Sequence, residues 1–200
     1  GSKFDSKIEV NANWVNFPEG VKPIYKRNEK FISVGRLEGQ KNYPNLLKNF
    51  INVNMALDIY GDGSEKNLLE KIIYEENIPI MLKGKIENSK LLTKYQDYKF
   101  FILNSHYEGN PKALLEAMSS GCIVFVRHHK NIEEIIKSKE NGFIYNSDEE
   151  LQEIINSIEN YDLEQISSSA RKHIFNSISL QQHIKKELQI YKELVTNTSF

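Results

Sequence analysis

"KFFILNSHYEGNPKALLEAMSSGCIVFV", Lys99–Val126, is the stretch on which the fold turns. It begins and ends with short runs of aromatic and β-branched residues, the composition and length of buried strands. Between them Ala113, Leu114, Leu115, Ala117 and Met118 are apolar on nearly every side, which predicts a helix enclosed by protein. Asn110 and Pro111 are expected to start that helix, Asn by capping orphan N–H groups and Pro by fitting the first helical position.

The same alternation extends in both directions. "KFISVG" (Lys30–Gly35), "MALDIYG" (Met55–Gly61), "PIMLKG" (Pro79–Gly84) and "GFIYN" (Gly142–Asn146) read as strands, as does "CIVFV" from Cys122. The spacing predicts a helix over Tyr43–Asn54 with Leu46, Leu47, Phe50 and Ile51 inward, and another over Glu65–Asn77 with Leu68, Leu69, Ile72 and Ile73 inward. A short helix is expected around Leu91 and Leu92, and a weaker one over "NIEEIIKSK" before Gly142. Helices are then expected at Asp148–Asn160, Asp162–Phe175 and Leu180–Val195, the last with a stripe of Leu180, Ile184, Leu188, Tyr191 and Val195. Strands alternating with helices in this way predict an α/β fold, a doubly wound parallel sheet covered on both faces.

Composition narrows the function. Two hundred residues, 40% of them hydrophobic and 26% charged, suffice for one globular domain with a sizeable core. Lys plus Arg number 26 against 27 Asp plus Glu, and the net charge of -1 gives no global attraction to nucleic acid or to an anionic membrane. Any anion site must be local. The single cysteine, Cys122, forms no internal disulfide, is expected in the core, and suits a reducing cytoplasm. No apolar run approaches a membrane span. The opening Gly1-Ser2 reads as an expression scar, and the chain as a fragment of something longer.

Glu116 sits inside the apolar helix, and burying an ionised carboxylate without partners costs at least several kcal/mol. In open parallel sheets ligands bind beyond the carboxyl ends of the strands, and here those ends collect glycines and charges. They are Gly35, Arg36 and Lys41; Gly61 and Gly63; Lys83, Gly84 and Lys85; and Glu108 with Gly109. Arg and Lys in one loop offer a fork and a point charge to an anion, and a helix start adds N–H groups and a positive dipole end. Ionised Glu108 and Glu116 are pure acceptors and need hydroxyl donors. A nucleotide sugar meets these demands together.

At this point "VGRLEGQKNYPNLLKNF", "LDIYGDGSEKNLLEKI", "LKGKIENSKLLTKY" and the opening stretch resemble the C-terminal, donor-binding domain of retaining glycosyltransferases of the GT-B fold (group 1 type). Glu108 and Glu116, with seven residues between them and followed by "AMSSG", carry most of that resemblance, and the Arg36–Lys41 pair the rest. It implies that Arg36 and Lys41 bind the donor diphosphate and, with Glu108 on the transferred sugar, serve catalysis, while Glu116 holds the ribose. Gly35, Gly61, Gly63, Gly109, Asn110 and Pro111 would serve sugar and phosphates, and Lys83, Gly84 and Lys85 the base. It further implies a linker over 1–28, a nucleotide-sugar domain over 29–178, and a helix over 179–200 packing toward a missing N-terminal domain that binds a glycan or glycolipid acceptor. The implied donor is a uridine diphosphate sugar, with guanosine diphosphate mannose its rival, and the implied location the cytoplasm, with peripheral contact at the inner membrane face. The sequence departs from the family where Asn42 and Lys130-Asn131 replace common glycines, and where Ser64 replaces a common proline.

The implied scheme needs no cofactor and no metal, and the sequence has no Cys-x-x-Cys, Asp-x-Asp or zinc-spaced His pair. Taken singly the features are ordinary: a lone Glu in an apolar helix is more often an edge residue, and Gly61-Asp62-Gly63 lacks the full dinucleotide fingerprint. His106 has no Gly-x-Ser-x-Gly elbow to serve, and His128-His129 are adjacent and so poorly placed for a shared metal. The other readings are a nucleotide-sugar epimerase or sugar-phosphate synthase of related fold, and a non-catalytic nucleotide-sugar-binding subunit.

Overall fold

Six parallel strands form a single sheet in the computed structural model, which describes residues 15–51, 53, 55–178, 184, 185 and 187–192. They are β1 (Asn28–Val34), β2 (Leu57–Tyr60), β3 (Ile80–Gly84), β4 (Tyr98–Leu103), β5 (Ile123–Arg127) and β6 (Phe143–Tyr145), ordered β3-β2-β1-β4-β5-β6. The order reverses between β1 and β4, which leaves a crevice beyond their carboxyl ends. The intervening helices are α1 (Tyr43–Asn49), α2 (Lys66–Glu76), α3 (Asn88–Tyr95), α4 (Lys112–Ser119), α5 (Asp148–Asn156) and α6 (Leu163–Ile178).

Both faces of the sheet are buried because side chains alternate along each strand. Phe31 points into one core with Leu46, Leu69 and Leu151 of α1, α2 and α5; Ile32 points into the other with Leu91, Leu114 and Ala170 of α3, α4 and α6. Cys122 lies fully buried in the second core. At the carboxyl end of α4, Arg27 donates from Nη2 to Ser120 O at 2.9 Å and from Nε to Lys22 O at 2.8 Å, and Arg171 bonds Ser119 O. Two cations on the last carbonyls complement the negative end of the helix dipole and fix the axis that carries Glu116.

Several expected elements come out differently. α1 ends at Asn49, so Ile51 falls beyond the helical phase that carries Leu46, Leu47 and Phe50 inward, and is exposed. In α2, Leu69 is buried while Leu68, about 100° round the helix from it, is exposed. "NIEEIIKSK" forms one 3-10 turn, Ile132–Glu134, because the Asn141 side chain takes the Lys137 N–H at 2.7 Å and donates to Ile135 O at 3.1 Å, closing a loop instead of a helix. α5 stops at Asn156, where the Ser157 hydroxyl bonds back to Glu153 O and a 3-10 turn, Ile158–Asn160, follows. α6 runs on to Ile178, past the expected end at Phe175. In the expected terminal helix, Leu180 and Val195 lie outside the described residues, while Ile184, Leu188 and Tyr191 are exposed. Among the described residues no helix is long and apolar enough to cross a membrane.

Two of the departures from the family pattern have a backbone explanation. Asn42 and Asn131 adopt φ of 53° and 70°, and asparagine is the residue that most readily replaces glycine in the left-handed region.

Candidate functional site

The site is assembled from loops that follow β1 and β4. β1 leads through Gly35 and Arg36 to a 3-10 turn, Gly39–Lys41, and β4 leads through Ser105 to Glu108. Lys41 and Glu108 are 67 positions apart, yet Lys41 Nζ lies 2.6 Å from Glu108 Oε1, and the Ser105 hydroxyl donates to the same oxygen at 2.6 Å. Both side chains are largely enclosed, at 16% and 6% exposure, so the ion pair is tight. Glu108 Oε2 has no hydrogen-bond partner among the described residues and remains available as an acceptor. The two loops are also tied through Gln40, whose Nε2 donates to Tyr107 O at 2.8 Å and whose carbonyl accepts from His106 N at 3.0 Å.

Glycine is required here by close approach. A Cβ on Gly35 would stand 3.1 Å from Lys41 Cε, a tight contact that would push the lysine stem aside by a few tenths of an ångström. A Cβ on Gly61 would stand 1.8 Å from Gly35 O, and one on Gly63 2.5 Å from Leu37 O. Those two glycines thus let the β2 loop press against the β1 loop.

α4 presents its amino end to the same crevice. The expected cap is displaced: Pro111 occupies the N-cap position, α4 starts at Lys112, and Asn110 contributes its carbonyl, which accepts from Lys112 N at 2.8 Å, instead of its side chain. The amides of Ala113 and Leu114 have no acceptor among the described residues and, with the dipole, favour an anion. Glu116 meets Lys112, whose Nζ lies 3.7 Å from Oε1 one turn earlier. Burial raises the Glu116 pKa above the ordinary carboxylate value, and Lys112 opposes the shift.

A carboxyl that binds its proton more tightly folded than unfolded contributes stability that is greatest in acid and is lost as pH rises through its raised pKa. Glu116→Gln is therefore expected to raise the melting temperature at neutral pH relative to the wild type, and to do less in acid. Melting curves at several pH values check this, and a wild-type advantage that grows with pH would contradict it.

Gly35, Arg36, Lys41, Glu108, Asn110, Pro111 and Glu116 line one cavity of about 320 Å³. Gly61 and Lys85 line an adjoining one of about 350 Å³ that shares Gly35 and Arg36 with the first. Arg36 is exposed at their common mouth, 3.4 Å from Glu38. The other expected residues lie apart: Gly109 is exposed with open space at its Cα, and Gly84 serves by accepting from Gly61 N at 2.9 Å. Lys83 lines neither cavity; its Nζ is 3.9 Å from Asp58, which also accepts the Tyr98 hydroxyl at 2.6 Å. Sequence reasoning missed Gln40, Ser105, Lys112 and Asn88; the i,i+4 spacing of Lys112 and Glu116 was a signal that could have found Lys112, and Ser105 acts on Glu108 three residues on, whereas Gln40 and Asn88 act through contacts or cavities that no spacing encodes.

Six parallel strands with helices on both faces and a crevice lined by charged residues at the switch point define a Rossmann-like α/β domain. The glycosyl transferases group 1 family model matches residues 19–173, and the chain belongs to that family. A galactosyltransferase of Escherichia coli, UDP-Gal:alpha-D-GlcNAc-diphosphoundecaprenol alpha-1,3-galactosyltransferase, is 30% identical over 86% of the chain and 48% of its own length. Among solved structures, Staphylococcus aureus TarM in complex with UDP and glycan ligands superposes with a TM-score of 0.74 at 23% identity, over 90% of this chain and 38% of that one. The C-terminal domain of LpcC, a group 1 glycosyl transferase of Francisella tularensis, superposes with a TM-score of 0.65 at 18% identity, over 78% of this chain and 89% of that one. The chain spans less than half the length of the curated relatives it matches.

Proposed function

We propose that the chain is the donor-binding half of a retaining glycosyltransferase and receives a nucleoside diphosphate sugar in the crevice beyond β1 and β4. The observation that carries this reading is the convergence of Arg36, Lys41, Glu108, Glu116 and the α4 amino end on one cavity of about 320 Å³. The diphosphate lies against Arg36, Lys41 and the Ala113 and Leu114 amides, Glu116 accepts from the ribose hydroxyls, and Glu108 accepts from the sugar through Oε2.

As the bond to the sugar breaks, negative charge develops on the departing diphosphate. Positive groups already in place stabilise that charge without reorganisation, and the scheme assigns no step to a metal. Uridine is the proposed base, since the E. coli relative is named for a UDP-sugar and TarM was crystallised with UDP. The reacting face of the sugar and a glycan or glycolipid acceptor belong to a second domain, so this chain binds donor far better than it transfers. The full-length enzyme would work in the cytoplasm, at the inner face of the membrane.

Calorimetry and thermal shift with uridine, guanosine and adenosine diphosphate sugars test the reading, because ligand bound to the native state alone raises the melting temperature. Arg36→Ala is expected to weaken binding by roughly tenfold, the loss of one charge-assisted contact. No shift with any of the sugars, or unchanged affinity in both Arg36→Ala and Lys41→Ala, would remove the proposed diphosphate site.

A further inference from the structure

We propose that Asn104 is a positioning residue for the Lys41–Glu108 pair, holding the two site loops in register from behind so that the Lys41 ammonium faces the donor's diphosphate; this rests on the donor-binding reading above. Asn104 follows the last residue of β4 and immediately precedes Ser105, whose hydroxyl holds Glu108. Its side chain is buried, at 2% exposure, and does not line the cavity of about 320 Å³. Any influence on the donor passes through other residues.

The carboxamide spans the two loops. Nδ2 donates to Asn42 O at 3.0 Å, on the residue that follows Lys41, and to Asn45 Oδ1 at 3.1 Å. Oδ1 accepts from the Tyr145 hydroxyl at 2.7 Å. Both amide hydrogens and the oxygen are used, and the orientation is fixed, because a flipped amide would set its oxygen against two other oxygens. Asn45 is held in turn. Its Nδ2 donates to Asp148 Oδ2 at 2.8 Å and its Oδ1 accepts from Arg127 Nη1 at 3.3 Å, while Arg127 Nη1 also donates to Asp148 Oδ1 at 3.0 Å. Polar groups of α1, β5, β6, α5 and the end of β4 thus close one network beneath the site, and a buried network with its members satisfied is rigid.

Asn42 shows what the network holds. Its φ of 53° lies in the left-handed region, which a residue other than glycine keeps only where its surroundings fix it. The Asn42 carbonyl is fixed from two sides, by Leu46 N at 3.2 Å and by Asn104 Nδ2. Lys41 is one peptide bond away, so rotation at Asn42 would swing the lysine stem off Glu108. The clasp through Gln40 lies at the surface, where water competes for it, and Asn104 supplies the clasp that water does not reach.

The test is calorimetric titration of the 200-residue chain as wild type, Asn104→Ala, Lys41→Ala and the double variant, with whichever of uridine and guanosine diphosphate the wild type binds more tightly. Asn104→Ala is expected to weaken binding by roughly tenfold in the wild-type background and by less than about twofold in Lys41→Ala, because a residue that acts by placing the ammonium then has nothing to place. Should Asn104→Ala not fold, as judged by circular dichroism and melting curves, Tyr145→Phe takes its place. It removes the hydroxyl that orients the amide, keeps the ring in the core, and should weaken binding several-fold with the same dependence on Lys41. Equal losses in the two backgrounds, the mark of a general loosening of the sheet, overturn the assignment of Asn104 and leave the donor-binding reading standing, as does no loss in either. A wild type that binds neither nucleotide removes the donor-binding reading itself and the assignment with it.

Discussion

Lys41→Ala is expected to lower the unfolding free energy by about 2–3 kcal/mol and to weaken nucleoside diphosphate binding by roughly 30- to 100-fold. The stability loss arises because Glu108, 6% exposed, loses the ammonium 2.6 Å away and retains only the Ser105 hydroxyl. Removing one partner of a buried pair costs more than the pair contributes, and access of water from the cavity puts this case toward the low end. The affinity loss has a separate origin, the missing point charge against the phosphates.

Lys41→Arg is expected to restore the charge only in part, because Lys41 meets Glu108 as a point charge in an enclosed position, at 16% exposure, and a planar fork needs more room there. Glu108→Gln separates the two roles. It frees Lys41 for the anion, so affinity for the plain nucleoside diphosphate should hold or rise while the extra affinity given by the sugar falls. Urea denaturation and calorimetry read both effects, and a Lys41→Ala protein as stable and as tightly binding as the wild type would count against the whole arrangement.

Phe31→Ala should destabilise the fold by about 3–5 kcal/mol, the range for removing a fully buried aromatic from a core that relaxes only partly. Phe31 has no exposed surface and packs its ring 5.3 Å from Phe50, 5.1 Å from Phe100 and 5.1 Å from Phe125, centroid to centroid. It lies in the core on the α1, α2 and α5 side of the sheet, whereas the cavity is walled by Leu91, Leu103 and Leu114 of the opposite core. Donor affinity measured well below the melting temperature is thus expected to change little. A loss under 1 kcal/mol by denaturant titration would mean that the aromatic cluster is not the keystone of the sheet.

The strands show why so much of this architecture could be read from the chain. A parallel strand buried on both faces must be apolar along its whole length, so "KFFILNS" and "CIVFV" announce themselves without reference to anything distant. Helix ends are harder, because they depend on which side chain reaches a free backbone group first. Asn141 closing the loop after Ile136, and Ser157 ending α5, are such competitions, and periodicity has no term for them. Leu68 and Leu69 show a further limit: neighbouring leucines on a helix cannot both face the core, and the packing of α2 beside α1 selects Leu69.

For the site, the residue types and their order along the chain were legible by themselves, since glycines, cations and carboxylates gather at strand ends where no core position requires them. Whether Glu108 is free or paired, and that Gln40 ties two loops together, were decided by tertiary structure alone, whereas the meeting of Lys112 and Glu116 is an i,i+4 helix pair that the sequence already carried. Local sequence sets backbone preference and side-chain chemistry, but a contact across 67 residues exists only after the sheet has placed two loops side by side.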